Sequence, residues 1–493
     1  MKQYEKQSDK NQRLINKVQN LIFYLTLLFL PTQFGKHFWP NFAILNGIRV
    51  DYLSPTVYAT DILIIFIFIL SVAKLQITNY KLQINFKFIK SKILVIIFTT
   101  CLFIGIIFSK SPGAGFYGLL KLLEFSFFGY FTATQINFKK EWRRIALIFS
   151  LGLFFESFLA IAQYLKQGSI GGLFYFFGER SFNNSTPGIA NASLNGALVL
   201  RPYGTFSHPN VLAGYLVIAM AIVIYNFSRE AGSSFAGQFS MTKFKNIFFG
   251  FVILIGTAAL FLTMSRVAIL LWILILILEA SRIFLVVRNK DKSKFSIFPT
   301  SLSHFVKTSR DKKLRGASNF QFSIFSFAVL VIACIICGVF VVSPIRYRFI
   351  GFNFNGESLI IREELVRVSF KMFLSRPVFG IGLNNFFINL PQYNIGVIGF
   401  LFQPVHNIFM LVLTETGIIG FLVFVWFMIK TYGRIISQGS KVKGQKFSIF
   451  NFQFLILSAV LILGMFDHYF LTLQQGQLMF SFVLGLCWFK SSK

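Results

Sequence analysis

Cysteine is scarce in this 493-residue chain, which has 4: Cys101, Cys334, Cys337 and Cys487, all in apolar stretches. A disulfide framework needs paired cysteines in exposed segments, so none is expected. Cys334 and Cys337 form a CxxC, but with no second pair and no histidine cluster nearby they read as small packing residues, not a redox or zinc motif. Carboxylates are few as well: 17 Asp and Glu stand against 48 Lys and Arg, giving a net charge of +31. No DxD or tight carboxylate cluster falls in a segment expected to be external, so no required metal is expected. Alternating strands of the kind an outer-membrane barrel needs are missing. So is any groove-and-stacking module, and the positive charge therefore gives little reason to invoke nucleic acid.

What the chain does have is apolar surface. It is 55% hydrophobic and 18% aromatic, with 67 Phe, and its apolar runs repeatedly approach the ~20 residues a helix needs to cross a bilayer. Such runs satisfy their backbone in lipid only as helices. The expected fold class is therefore all-α, a polytopic membrane helix bundle of about twelve spans. These fall near residues 19–38, 57–73, 93–109, 113–133, 145–165, 207–228, 246–264, 266–287, 323–343, 405–429, 450–470 and 472–489. A large, partly helical external loop, 344–404, separates spans nine and ten. The polar, basic start, MKQYEKQSDKNQRLINKVQN, is followed by an apolar run without a small-residue cleavage pattern, so the first span reads as uncleaved.

Sorting the basic residues by loop places most of them on one side when both termini are cytoplasmic, as the positive-inside rule requires. The same excess suits anionic membrane lipids as partners. Three regions follow from this layout: N-terminal helices with the first large outer loop (1–200), a central region (201–430), and two C-terminal helices (431–493). Within the fourth span, Lys121 and Glu124 share a helix face and can offset each other's burial. Glu156 in the fifth stands alone, facing a polar cavity or protonated. The outer connection at 38–55 breaks helical periodicity without offering chemistry.

The polar residues that remain gather at the expected external ends of spans. LRPYGTFSHPNVLAGYL delivers Arg201, His208 and Asn210 to the start of the sixth span, with Ser207 as its N-cap. TMSR makes a tight turn in which Ser265 caps the next helix and Arg266 occupies its first turn. A cation is mildly unfavourable there, so Arg266 either awaits an anion, a role suited to guanidinium and free helix amides, or snorkels to the interface. The external loop should hold a helix through Leu365, Val368 and Met372, ended by Arg376 and Pro377. Its Arg362, Arg367, Lys371 and Arg376 make a basic surface. PVHNIF then brings His406 and Asn407 to the first turn of the tenth span. Glu415 lies about 13 Å further down at helical rise, too far to touch His406. Asp467 and His468, at the outer end of span eleven, either line the site or anchor the interface, while His304 falls on the opposite side.

RPYGTFSHPN, TMSR, RPVFGIGLNNF and PVHNIFMLVLTETGIIG, in that order and on that topology, resemble the O-antigen ligase and polymerase superfamily of GT-C type membrane glycosyltransferases. The resemblance runs from about Arg201 to Gly420; before it, the chain agrees only in spanning the membrane. It implies transfer of a glycan from an undecaprenyl-diphosphate carrier to an acceptor hydroxyl on a glycan, lipid or protein at the external face of a bacterial inner membrane. By position it assigns Arg201 and Arg266 to the donor diphosphate and His406 to the catalytic base. His208, Asn210, Arg362, Arg376, Asn407 and Glu415 are expected to bind or orient substrate, with no cofactor. Ligase and polymerase share this donor chemistry. A transporter or flippase for lipid-linked glycan is the alternative of another class, although no internal repeat supports it.

Overall fold

The computed structural model describes residues 2–77, 89–194, 197–233, 241–292, 357–393, 403–440 and 452–489. Among these the long elements are all helices: α1 (Lys2–Leu28), α2 (Ala59–Ile77), α3 (Ile89–Ile107), α4 (Pro112–Gln135) and α5 (Phe138–Lys166) come first. After the short α6 (Leu173–Phe176) come α7 (Pro209–Ser233), α8 (Met241–Leu262), α9 (Arg266–Lys292) and α10 (Glu357–Ser375). The one-turn α11 (Phe386–Asn389) precedes α12 (Ile408–Ser440), α13 (Phe452–Phe466), the one-turn α14 (Tyr469–Thr472) and α15 (Gln474–Trp488). Among the described residues, three helices are long and apolar enough to cross a membrane: Phe138–Lys166, Pro209–Asn226 and Ile408–Gln438. The expected segments fall on helices wherever they are described. Segment 323–343, with Cys334 and Cys337, lies outside the described residues, as does His304.

The first expected segment, 19–38, is corrected at its end. Pro31 cannot continue a helix, α1 stops at Leu28, and the chain enters β1 (Gly35–His37), which pairs antiparallel with β4 (Thr56–Tyr58). Between them β2 (Ile44–Leu45) and β3 (Ile48–Arg49) form a second small hairpin, and β5 (Asn191–Leu194) pairs with β6 (Ala197–Leu200) in the loop before α7.

Two apolar layers follow from the helical periodicity. The larger is an aromatic-rich bundle core in which Phe23, Phe128, Phe149 and Phe482 are almost fully buried, with Trp272 among α7, α8 and α9. Trp272 donates its indole N–H to Thr257 at 3.1 Å, so the ring is buried without an orphaned donor. The smaller layer is a cap: Val50 and Leu53 of the N-terminal hairpin segment pack with Leu365, Val368 and Met372 of α10, with Phe386 and Phe387, and with Val405. The periodicity anticipated at 365, 368 and 372 is thus the buried face of α10.

Charged groups of α2 and α4 pair inside the bundle. Lys121 meets Glu124 at 3.1 Å, as their spacing suggested, but its nearer partner is Asp61 on α2, at 2.5 Å, and Gln474 on α15 accepts from it at 3.3 Å. One lysine thus ties three helices together.

α12 is broken at Gly417, where φ is 66° and ψ is −171°. That conformation belongs to glycine, and the chain Val378–Gly380 passes so close that a Cβ would strike backbone. The break frees backbone carbonyls and an amide that the passing loop uses. Ile381 N–H donates to Thr414 O (3.0 Å), Gly382 N–H to Glu415 O (3.1 Å), and Ile418 N–H to Pro377 O (2.8 Å). The loop after α10 is thereby stitched into the break.

Candidate functional site

The segment before α7 is held by side chains from α5. Gln163 accepts from the N–H groups of Tyr203 (3.0 Å) and Gly204 (2.8 Å). Glu156 accepts from Thr205 N–H (3.0 Å) and its hydroxyl (2.7 Å). Glu156, solitary in the sequence, is therefore the anchor of the RPYGTF loop.

That anchoring presents Arg201, which is 7% exposed. Its Nε donates to Thr263 O at 2.7 Å and a terminal nitrogen donates to Asn210 Oδ1 at 2.8 Å. Asn210 in turn donates to Asp467 Oδ2 at 3.0 Å. A single amide thus joins the arginine of one loop to a carboxylate that lies 257 residues beyond the amide in the chain.

The α7 cap differs from expectation. Helix entry is capped by the His208 ring, whose Nδ1 accepts from Asn210 N–H at 3.1 Å, while Ser207 Oγ is buried without a partner. Because Nδ1 accepts a hydrogen, the neutral ring carries its proton on Nε2. Burial, then Arg201, holds His208 below the usual imidazole range.

α8 turns into α9 through Thr263, Met264 and Ser265. Met264 has φ 52°, a left-handed conformation rare for a non-glycine residue and typical of tight functional turns. This turn presents Thr263 O to Arg201 and sets Arg266 as the first residue of α9. Arg266 is half-buried and within electrostatic reach of Arg362 on α10. Arg362 also acts on His208, His406 and His468. Arg201 and Arg362, from separate segments, therefore act on the histidines, and Arg266 lies within reach of Arg362.

His406 stands just before α12, and its Nδ1 is buried without a hydrogen-bond partner. Its ring lies 5.2 Å from that of His468, edge to face. His468 sits at the α13–α14 corner with Nδ1 2.6 Å from Thr472 Oγ1 and Nε2 3.8 Å from Asp467 Oδ1. Asp467 also accepts from the His468 backbone N–H at 2.8 Å. Asp467 and His468 thus join the cluster instead of facing the interface. His406, Asp467 and His468 each place one potential metal-ligating atom within 4.8 Å of the others.

Burial lowers His468 to about 3 and also lowers His406, with Asp467 opposing in both cases. Burial alone would raise Asp467, but its histidine neighbours and the Asn210 bond outweigh it and hold it down to about 2. At neutral pH the cluster is a carboxylate among uncharged imidazoles.

Three expected residues stand elsewhere. Asn407 accepts from Phe409 N–H (2.9 Å) and Met410 N–H (3.0 Å), so it is the N-cap of α12, and it donates to Met465 O (3.1 Å), which fixes α13 beside it. Glu415 accepts from the N–H groups of Asn384 (2.9 Å) and Phe386 (3.2 Å), bracing the GIGLNNF loop. Arg376 is exposed and donates to Phe108 O at the end of α3. Tyr52 is a site neighbour with no signal in its own sequence context. It comes from the outer connection at 38–55, stacks on Phe387 (5.0 Å) and meets His468 edge-on (5.5 Å).

Its apolar helices mark the chain as a membrane protein. Residues 250–425 match the family model described as O-antigen ligase, and this match supports membership of the O-antigen ligase superfamily. The matched stretch contains Arg266, Arg362 and His406; Arg201, Asn210, Asp467 and His468 reach the same cluster from outside it. No curated protein matches the chain.

Proposed function

We propose that the chain is a membrane glycosyltransferase that moves a glycan from an undecaprenyl-diphosphate carrier to an acceptor hydroxyl at the external face of a bacterial inner membrane. The supporting observation is the bonded path from Thr263 O through Arg201 and Asn210 to Asp467. It couples Arg201, suited to a diphosphate, to Asp467, which stands beside His406 and His468. Both termini are cytoplasmic in this reading, and the apolar segments form about twelve spans.

His406 takes the proton of the acceptor hydroxyl. The freed oxygen attacks the anomeric carbon from the side opposite the diphosphate, and the bond from that carbon to the phosphate oxygen breaks. Its electron pair leaves with the lipid diphosphate, and the configuration inverts. The leaving group gains negative charge, so Arg201, Arg266 and Arg362 stabilise the transition state more than the bound substrate. A positioned base contributes roughly 10²–10⁴-fold. Asp467 faces the imidazoles as a carboxylate held by Asn210 and the His468 N–H, while Asn407 and Glu415 serve by fixing the helix start and the adjoining loop. No metal is required in this scheme.

Purified protein supplied with lipid-linked glycan and candidate acceptors tests the reading: a new glycoconjugate with released lipid diphosphate supports it. Movement of the glycolipid between leaflets without bond cleavage would make the chain a flippase. The acceptor that is extended, glycan chain or finished lipid or protein, separates polymerase from ligase.

A further inference from the structure

His468 Nδ1 lies 2.6 Å from Thr472 Oγ1, a hydroxyl that also reaches His468 O at 3.3 Å. Nε2, on the other side of the ring, lies 3.8 Å from Asp467 Oδ1. His406 contributes a second imidazole, and its buried Nδ1 has no hydrogen-bond partner. One ligand atom from each of His406, Asp467 and His468 lies within 4.8 Å of the others.

We propose that His406, Asp467 and His468 form a binding site for a transition-metal dication of the zinc type, which inhibits transfer by capturing His406. Two imidazole nitrogens and one carboxylate oxygen are a zinc donor set that leaves a fourth position open, whereas magnesium prefers oxygen ligands and octahedral geometry. Zinc bonds of ~2.1 Å place tetrahedral donors about 3.4 Å apart. The His468 to Asp467 gap therefore closes by only a few tenths of an ångström, and the wider separation closes by rotation of the His406 side chain. Asp467 retains lone pairs beyond those used by Asn210 and the His468 N–H. With Nε2 on the metal, His468 Nδ1–H donates to Thr472 Oγ1, the part that outer-shell partners play at metal histidines. The inhibition rests on His406 being the base; the binding site does not.

Cobalt(II) titrated into the purified full-length protein tests the site directly, since cobalt in such a site gives visible d–d absorption. One equivalent should bind, be displaced by zinc, and lose its signal in His468→Gln. Thr472→Val, which keeps every proposed ligand, should weaken binding about tenfold. Absence of the signal in wild type, or its survival in His468→Gln, overturns the site and leaves the base assignment untouched. In the transfer assay zinc should inhibit, EDTA should reverse the inhibition, and magnesium should do neither. Bound metal with undiminished transfer overturns the inhibition, and near-normal turnover of metal-free His406→Ala separately identifies failure of the base assignment.

Discussion

Replacing Asn210 by alanine probes the junction of the site. Its amide receives a charge-assisted bond from Arg201 at 2.8 Å and gives one to Asp467 at 3.0 Å. Hydrogen bonds to charged groups contribute ~1.5–3 kcal/mol each, so complete loss of both sets an upper bound near 3–6 kcal/mol. The side chain is only half-buried, and water can enter the space an alanine leaves and restore part of the network. A net loss of about 1.5–3 kcal/mol is therefore expected, a fall in kcat/KM of roughly 10- to 100-fold at ~1.4 kcal/mol per tenfold. The assay is release of lipid diphosphate by purified protein in proteoliposomes, with thermal unfolding followed in parallel. Asn210→Asp should be worse, because it sets a second carboxylate against Asp467. Wild-type kcat/KM in Asn210→Ala would refute the idea that the amide couples the two arms, as would a loss that only mirrors a lower folded fraction.

Arg266→Lys should lower kcat/KM at least tenfold while raising KM for the lipid donor, because a point ammonium does not reproduce the planar fork on a diphosphate; unchanged kinetics would mean that Arg266 only snorkels. The pH profile of kcat/KM, measured with EDTA present, should fall on acidification. Burial lowers His406 from 6.5, so the base form persists through neutrality and its acid limb lies below that value; a midpoint above 7 would exclude His406. Gly417→Ala should destabilise the protein by at least about 2 kcal/mol, since a glycine-only conformation costs ~1–3 kcal/mol for other residues and the new methyl would strike the Val378 carbonyl. An unchanged melting profile would show that the loop after α10 is not held by the break in α12.

Apolar run length was enough to place the long helices, because lipid leaves a backbone few alternatives. The end of α1 was harder to read: the apolar run continues past Leu28, and only Pro31 marks where the chain leaves the helix. Arg201, Arg266 and His406 stand out as candidates in the sequence because each lies beside a local signal, a proline, a cap or a first turn. Glu415 and Asn407 were recognisable as polar residues near the site but not as the brace and the cap they are. Their partners are backbone amides, and amides leave no mark in a sequence. Tyr52 and Asp61 reach their partners only through tertiary folding, from segments that hold no motif. The pairing of Asn210 with Asp467 joins two ends of the bundle sequence that no spacing rule connects.

The most direct measurement compares wild type with His406→Ala in single-turnover transfer, using a lipid-diphosphate glycan and acceptor in proteoliposomes. The account predicts new glycosidic bond and free lipid diphosphate in equal amounts from wild type. The variant should retain donor binding and lose transfer by two to four orders of magnitude, as removal of a general base entails. Near-normal turnover in the variant, or wild-type protein that moves the glycolipid across the bilayer with its diphosphate bond intact, would contradict it.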